Sequence, residues 1–226
     1  MSLKKATLLI VVILLIDQIS KFYIKTHFAL NDKTIVFNWF QIVFVENEGM
    51  AWGTKMSDFI TFISDRTAKL ILTIFRIVAV IFISYWLISS IRKRRATILI
   101  VAISLIFAGA LGNIIDSVFY GIIFNGSESQ VATFLPEGGG YDTLFHGKVV
   151  DMLHFPMWSG FLPNWVPFVG GDYFTFFEPV FNVADMAIST GIGMLIVFNK
   201  KAFHQSTHSK EVAEQKEIEE VHTENA

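Results

Sequence analysis

Four long apolar stretches organise this chain, at residues 6–26, 69–91, 97–120 and 178–199. Each supplies the roughly 20 apolar residues that a helix needs to cross a hydrocarbon core of about 30 Å. The pattern predicts four transmembrane helices. Between the first two, residues 28–56 change character: the run TIVFNWFQIVFVENEGMAWGT is β-branched and aromatic, alternates in part, and is broken at Asn47, Gly49 and Gly53. It reads as β-structure. The second long connection, 121–177, carries Gly138-Gly139-Gly140, Gly170-Gly171 and several Trp and Phe. It reads as a loop whose aromatics suit a membrane interface. Residues 201–226 lose the apolar residues and become Glu-rich, as expected of a solvated tail. The expected class is an all-α integral membrane protein with a small β-rich extracytoplasmic subdomain. One membrane domain, 1–200, is followed by a charged cytoplasmic tail.

Composition strengthens that reading. Of 226 residues, 53% are hydrophobic and only 17% charged, with mean hydropathy +0.52, whereas a soluble domain usually carries about a quarter charged residues. A net charge of −2 gives no basic footprint for nucleic acid. With no Cys, the chain offers no disulfide, no thiolate nucleophile and no Cys-based metal site. Lys4-Lys5, the run Arg92-Lys93-Arg94-Arg95 and Lys200-Lys201 fall on one side if both termini are cytoplasmic. Both long connections then lie outside. The first stretch resembles a signal peptide, but Asp17 and Gln18 stand where a small-residue cleavage site would follow, so an uncleaved span is expected. Asn125-Gly126-Ser127 matches a glycosylation sequon, a short pattern common by chance.

Ionisable side chains inside spans cost about 2.5–3.5 kcal/mol on insertion scales and call for a reason. The first span holds Asp17 and Lys21, four apart on one helical face. The second holds Arg76. The third ends with Asn113 and Asp116, and the fourth opens with Asn182 and Asp185, each pair three apart. With the direction above, Asp116, Asp185 and Arg76 all fall within about 6–11 Å of the outer surface, and Asp17 lies slightly deeper. Asp151 sits in an apolar run of the second outer connection. Polar clamps between helices would account for some of these residues. They leave acids in excess of cations at one depth.

Two neighbouring carboxyl groups cannot both ionise cheaply, so one keeps its proton while the other acts as a base towards water. That is aspartic-peptidase chemistry, which needs no cofactor. A metal alternative would draw on His146, Asp151 and His154, but no H-E-x-x-H helix is present. No G-x-S-x-G elbow supports a serine hydrolase. A proton-coupled transporter using the acids as a relay is the main rival, although no internal repeat favours it. A non-catalytic assembly factor is a second rival.

Five segments carry a resemblance: Asp17-Gln18-Ile19-Ser20-Lys21, Asn47-Glu48-Gly49-Met50-Ala51-Trp52-Gly53, Gly112-Asn113-Ile114-Ile115-Asp116, Gly147-Lys148-Val149-Val150-Asp151 and Phe181-Asn182-Val183-Ala184-Asp185. In this order and spacing the chain resembles the lipoprotein signal peptidase (type II signal peptidase) family of bacterial inner membranes. The resemblance implies a catalytic dyad of Asp151 and Asp185. It implies substrate-binding or supporting roles for Asn47, Gly49, Asn113, Asp116, Asn182 and Ala184, and site support from Asp17 and Lys21. The implied substrate is a diacylglyceryl-modified prolipoprotein, cut just before its lipidated cysteine near the outer face of the membrane. Membrane lipids are expected partners and a monomer the expected state.

Three departures stand out. Ser117 occupies a position where the family usually has Arg, with Arg76 as a possible replacement. Met50 and Trp52 enlarge positions that are commonly Ala and Phe. Residues 122–146 intervene where a short turn is usual, and 155–177 form a second long aromatic insertion. Either could be a lid, a partner surface or loop decoration.

Overall fold

The computed structural model describes residues 1–48, 64–167, 169–176 and 179–203. Helix α1 (Leu3–His27) is capped by Ser2, whose Oγ accepts from Lys5 N at 3.4 Å. Helix α2 (Asp65–Arg92) starts the same way at Ser64, which accepts from Thr67 N at 3.2 Å. A hydroxyl at each N-cap satisfies a backbone N–H that has no partner within the helix. Helix α3 (Thr97–Ile115) runs on through a π-helical turn, Asp116–Tyr120, and a last α-turn, Gly121–Ile123. Helices α1, α2 and the α3 run to Ile123 are each long and apolar enough to cross a membrane. Over half of the apolar window of α3 is buried, against 17% for α1 and 11% for α2, so α3 is the central helix. Phe75, Phe82 and Tyr85 of α2 project outward, an apolar surface suited to lipid.

The fourth stretch departs from expectation. Helix α4 spans Val183–Val197, and its 15 residues rise only about 22 Å. It begins at 183 rather than 178 because Asn182 is extended (φ −123°, ψ 179°) and closes a capping box with Asp185. Val180–Phe181, just before it, belong to a strand. After Phe198 a short helix α5 (Asn199–Phe203) crosses the expected boundary at 200. It does so because Ala202 is buried in a cluster with Ala6, Leu87, Leu99, Ile100 and Ile103. The third stretch likewise extends past 120, since the π turn absorbs an extra residue without ending the helix.

The second connection is not merely loop. Strands β1 (Lys33–Phe37) and β2 (Phe40–Asn47) come from the first connection. Strands β3 (Val149–His154), β4 (Trp158–Phe161) and β5 (Tyr173–Phe176) come from the second, and β6 (Val180–Phe181) from the start of the fourth apolar stretch. β1-β2-β3-β6 form one antiparallel sheet, and β4-β5 form a separate hairpin. The imperfect alternation of the first connection has a local cause. The β2–β3 register shifts between Ile42 and Val45, so the buried residues Gln41 and Phe44 are three apart instead of two. Beyond the bulge, Asn47 pairs with Val149 and Val45 with Asp151. Asn47 and Asp151 are therefore diagonal neighbours on one face of the sheet.

A cluster of Ile24, Phe44, Tyr120, Phe124, Ala132, Val150 and Met152 binds α1, the end of the α3 run and the sheet into one outer core. Below it, α3 and α4 approach so closely that a Cβ on Gly109 would lie 2.2 Å from Ala184 O. A Cβ on Gly112 would lie 2.6 Å from Asp17 Oδ2. Hydrogen atoms at these positions let three helices bring polar groups together at one depth.

Candidate active site

The site is best built outward from Lys21. Its side chain is fully buried on α1, and an ammonium has three donors and no acceptor. All three are used: Asp17 Oδ2 lies at 2.9 Å, Asp116 Oδ2 at 2.8 Å and Asn113 Oδ1 at 2.9 Å. A buried charge without partners would cost several kcal/mol, and this one has its full complement. The two carboxylates are in turn satisfied by groups that only donate to them. Asp17 Oδ1 accepts from Ala184 N at 2.9 Å, so α1 caps the first turn of α4 from outside. Gln18 Nε2 donates to Asp17, to Asp116 and to Gly112 O, while Tyr120 Oη donates to Gln18 Oε1. Val150 N of β3 reaches Asp116 Oδ2 at 3.3 Å.

Lys21 also fixes the direction of the next hydrogen bonds. Because it can only donate, Asn113 must turn its oxygen to Lys21 and its NH2 elsewhere. That NH2 donates to Asp185 Oδ1 at 2.9 Å. Asn182 completes the chain. Its NH2 donates to Asn113 Oδ1 at 3.2 Å and to Asp151 Oδ1 at 2.7 Å, while its Oδ1 accepts from Asp185 N at 2.9 Å. Its own backbone N donates to Asp185 Oδ2 at 3.3 Å. Asn182 thus touches both Asp151 and Asp185 while serving as the cap that starts α4.

Asp151 receives a second amide, from Asn47 Nδ2 at 3.0 Å to Oδ2. It is only 2% exposed, whereas Asp185 is half-buried. Burial, and then the neighbouring Asp185 charge, push the Asp151 carboxyl up to about 7, against the smaller opposing effect of its two amide donors. The arrangement can hold one proton between two carboxyl groups at near-neutral pH, with amides fixing the remaining lone pairs.

Ten of the residues singled out from sequence therefore have definite places. Asp17, Lys21, Asn47, Asn113, Asp116, Asp151, Asn182, Ala184 and Asp185 form one connected network. Arg76 stands beside it: its Nη1 donates to Ser117 Oγ at 3.2 Å, and Ser117 donates on to Asn113 O at 2.9 Å. Gly49, Met50 and Trp52 lie outside the described residues. Gln18, named only as part of a segment, proves to be a hub with four partners. The metal alternative does not assemble. Asp151 and His154 are three apart on β3 and so project to opposite faces, and His154 Nδ1 meets Gln41 Oε1 at 3.1 Å. His146 Nδ1 faces Thr143 and Leu144 O. Among the described residues no three His, Asp or Glu converge on a metal position. The sequon is also occupied otherwise: Ser127 is buried and Asn125 Oδ1 accepts from Thr133 N at 2.6 Å.

A family model of signal peptidase (SPase) II matches residues 9–200. The chain belongs to the signal peptidase II family. It is 49% identical over 195 residues to a lipoprotein signal peptidase of Porphyromonas gingivalis, covering 86% of this chain and 82% of that one. To a lipoprotein signal peptidase of Amoebophilus asiaticus it is 34% identical, covering 88% of this chain and 79% of the relative. A solved bacterial membrane enzyme shares the fold with a TM-score of 0.55 at 25% identity, over 88% of this chain and 94% of that one. A signal peptidase II is a protease, so proton-coupled transport is not carried forward as a reading of these acids.

Proposed function

We propose that this signal peptidase II removes the signal peptide from diacylglyceryl-modified prolipoproteins by cutting before the lipidated cysteine, with Asp151 and Asp185 as an aspartyl dyad. The observation that carries the proposal is Asn182, one side chain that holds both aspartates while capping α4. The shared proton belongs to the pair, and the deeper burial of Asp151 favours its resting there. Asp185 then takes a proton from water as the oxygen attacks the scissile carbonyl, and Asp151 donates its proton to the carbonyl oxygen. Collapse of the tetrahedral intermediate returns a proton to the amide nitrogen as the C–N bond breaks. The products are a signal-peptide carboxyl group and a free amino group on the lipidated cysteine.

The setting follows the same logic. We read α4 as the fourth span, short because its outer end stops at Asn182, which puts the dyad at the outer boundary of the hydrocarbon. The chain would then be a four-span monomer of the bacterial inner membrane with both termini cytoplasmic. Gly49 would keep the substrate-binding role that the family resemblance implies, and membrane lipids would surround α1 and α2. Cleavage of a diacylglyceryl-modified prolipoprotein by the purified protein in detergent, with a chelator present, tests the reading. Wild type is expected to cut, and Asp151→Asn and Asp185→Asn each to lose about 10³-fold or more. Either folded mutant cutting at the wild-type rate would remove that aspartate from the mechanism.

A further inference from the structure

One turn along α1 from Lys21 lies a second fully buried cation, Lys25, which the chemistry above does not use. Its Nζ pairs with Glu46 Oε1 and donates to Ser127 Oγ at 3.0 Å. Ser127 Oγ donates to the same Glu46 oxygen at 2.9 Å. The ring centroids of Phe44, Phe124 and Tyr141 stand 5.7, 5.5 and 4.9 Å from the ammonium. Lys148 Nζ lies 3.5 Å from Glu46 Oε2. Burial is the largest single effect on the Glu46 carboxyl and acts to raise it, but the charge and hydrogen bond of Lys25, the Lys148 charge and the Ser127 hydrogen bond together outweigh it and hold the group below its ordinary range.

Three of these partners, Phe124, Ser127 and Tyr141, come from residues 122–146 of the second outer connection. It grips both strands of the site. Through Ser127 it holds Glu46, the residue before Asn47 on β2. Through the Tyr141 hydroxyl, which accepts from Lys148 N at 2.6 Å, it holds the residue before β3. Glu46 pairs with Val150 on one face, and Asn47 lies diagonal to Asp151 on the other. Adjacent residues of a strand project to opposite faces, so fixing Glu46 towards Lys25 fixes Asn47 towards Asp151, and a slip of one residue would reverse both.

We infer that residues 122–146 and the Lys25–Glu46 pair form a positioning device that sets the β2–β3 register, so that Asn47 donates to Asp151. The inference rests on the dyad proposed above, but it can be read without substrate. The Asn47 amide favours the charged form of Asp151. Losing it should therefore move the titration of that carboxyl to higher pH.

The experiment follows the Asp151 carboxyl band by infrared spectroscopy of the full-length protein labelled with 13C-aspartate, assigned by comparison with Asp151→Asn. kcat and KM for a diacylglyceryl-modified prolipoprotein are measured beside it. Glu46→Gln and Asn47→Ala are each expected to raise the titration midpoint and lower kcat about ten-fold, the scale of one hydrogen bond to a charged group. KM should stay within about two-fold. The double variant should be no worse than Asn47→Ala alone, because Glu46 acts through Asn47. Lys25→Met/Glu46→Gln, which strands no fully buried charge and leaves the partly exposed Lys148 with Glu48, should keep the shift, and Tyr141→Phe, which loses one bond, should show a smaller shift in the same sense. A lower melting temperature with an unchanged midpoint and kcat in these variants would overturn the inference, as would losses that multiply in the Glu46/Asn47 double variant. If wild type fails to cut, the peptidase reading falls, and the infrared midpoints still decide this one.

Discussion

Two buried lysines four residues apart on α1 are solvated in different ways. Lys21 has two carboxylates and an amide oxygen, all on helices or their ends, and from it run the hydrogen bonds that orient Asn113, Asn182 and both aspartates. Lys25 has one carboxylate, one hydroxyl and three aromatic faces, drawn from β2 and the 122–146 segment. The first therefore ties helix to helix, and the second ties helix to sheet. Both are compensated, yet Lys21 alone holds two acids that would otherwise face each other in a low-dielectric interior. Removing one member of a buried ion group is costly chiefly because of what it leaves behind.

That difference can be broken directly. Lys21→Met leaves Asp17 and Asp116 side by side without their cation, and it should cost about 3–5 kcal/mol of stability. The expected result is little folded protein in detergent. Lys25→Met leaves Glu46 with Ser127 and with Lys148 at 3.5 Å, so its loss should be smaller and the protein should remain purifiable. Melting temperatures of the two variants give the comparison. Equal losses would mean that Lys148 does not compensate Glu46, and that the two lysines do the same work.

The contrast also marks what the sequence could disclose. Asp17 and Lys21 were legible because charges within an apolar run stand out and helical spacing puts them on one face. The same reasoning placed Asn113, Asp116, Asn182 and Asp185 at a common depth, and the network joins them. Lys25 sits at the end of its span, where a basic residue passes for an interface anchor, and Glu46 sits in a strand whose alternation the bulge obscures. Their pairing depends on a segment remote in sequence, which no local period could reveal. The starts and stops of elements were lost for a related reason. The capping box at Asn182 and the pairing of β6 with β3 override an apolar run that continues through both. Strand β3, predicted as loop, is recognisable only once β2 lies beside it.

A gentler change separates the electrostatic role of Asp151 from its structural one. With its carboxyl raised to about 7 by burial and Asp185, against about 3.9 in an unfolded chain, the folded protein binds the extra proton between these values. Stability contributed by this group is therefore greatest below about pH 4, declines as pH rises towards 7, and levels off above it. Asp151→Asn cannot titrate, so its melting temperature should vary less between pH 5 and 8 than that of wild type. Cleavage by wild type should fall above about pH 7, where the pair loses its shared proton. A wild-type melting temperature that rises steadily from pH 5 to 8, matched by Asp151→Asn, would place the proton elsewhere.

The smallest effect concerns the cation at the rim of the Lys21 cluster. Arg76 reaches the α3 run from α2 by donating to the Ser117 hydroxyl. Its charge acts on Asp185, Asp116 and Asp151, and the Ser117 hydroxyl both accepts from it and donates to Asn113 O. If the guanidinium matters through its field, the hydroxyl is only a guide. Ser117→Ala should then cost about 1 kcal/mol of stability, the net worth of a neutral hydrogen bond, and change cleavage less than about three-fold. Arg76→Gln, which keeps a donor but removes the charge, should reduce cleavage more than Ser117→Ala at equal or smaller cost in melting temperature. Parallel assays of the two variants decide the point. A Ser117→Ala loss as large as that of Arg76→Gln would mean that the arginine works by its hydrogen bond to α3, and that the excess negative charge of the cluster is already balanced by Lys21 and the surrounding amides.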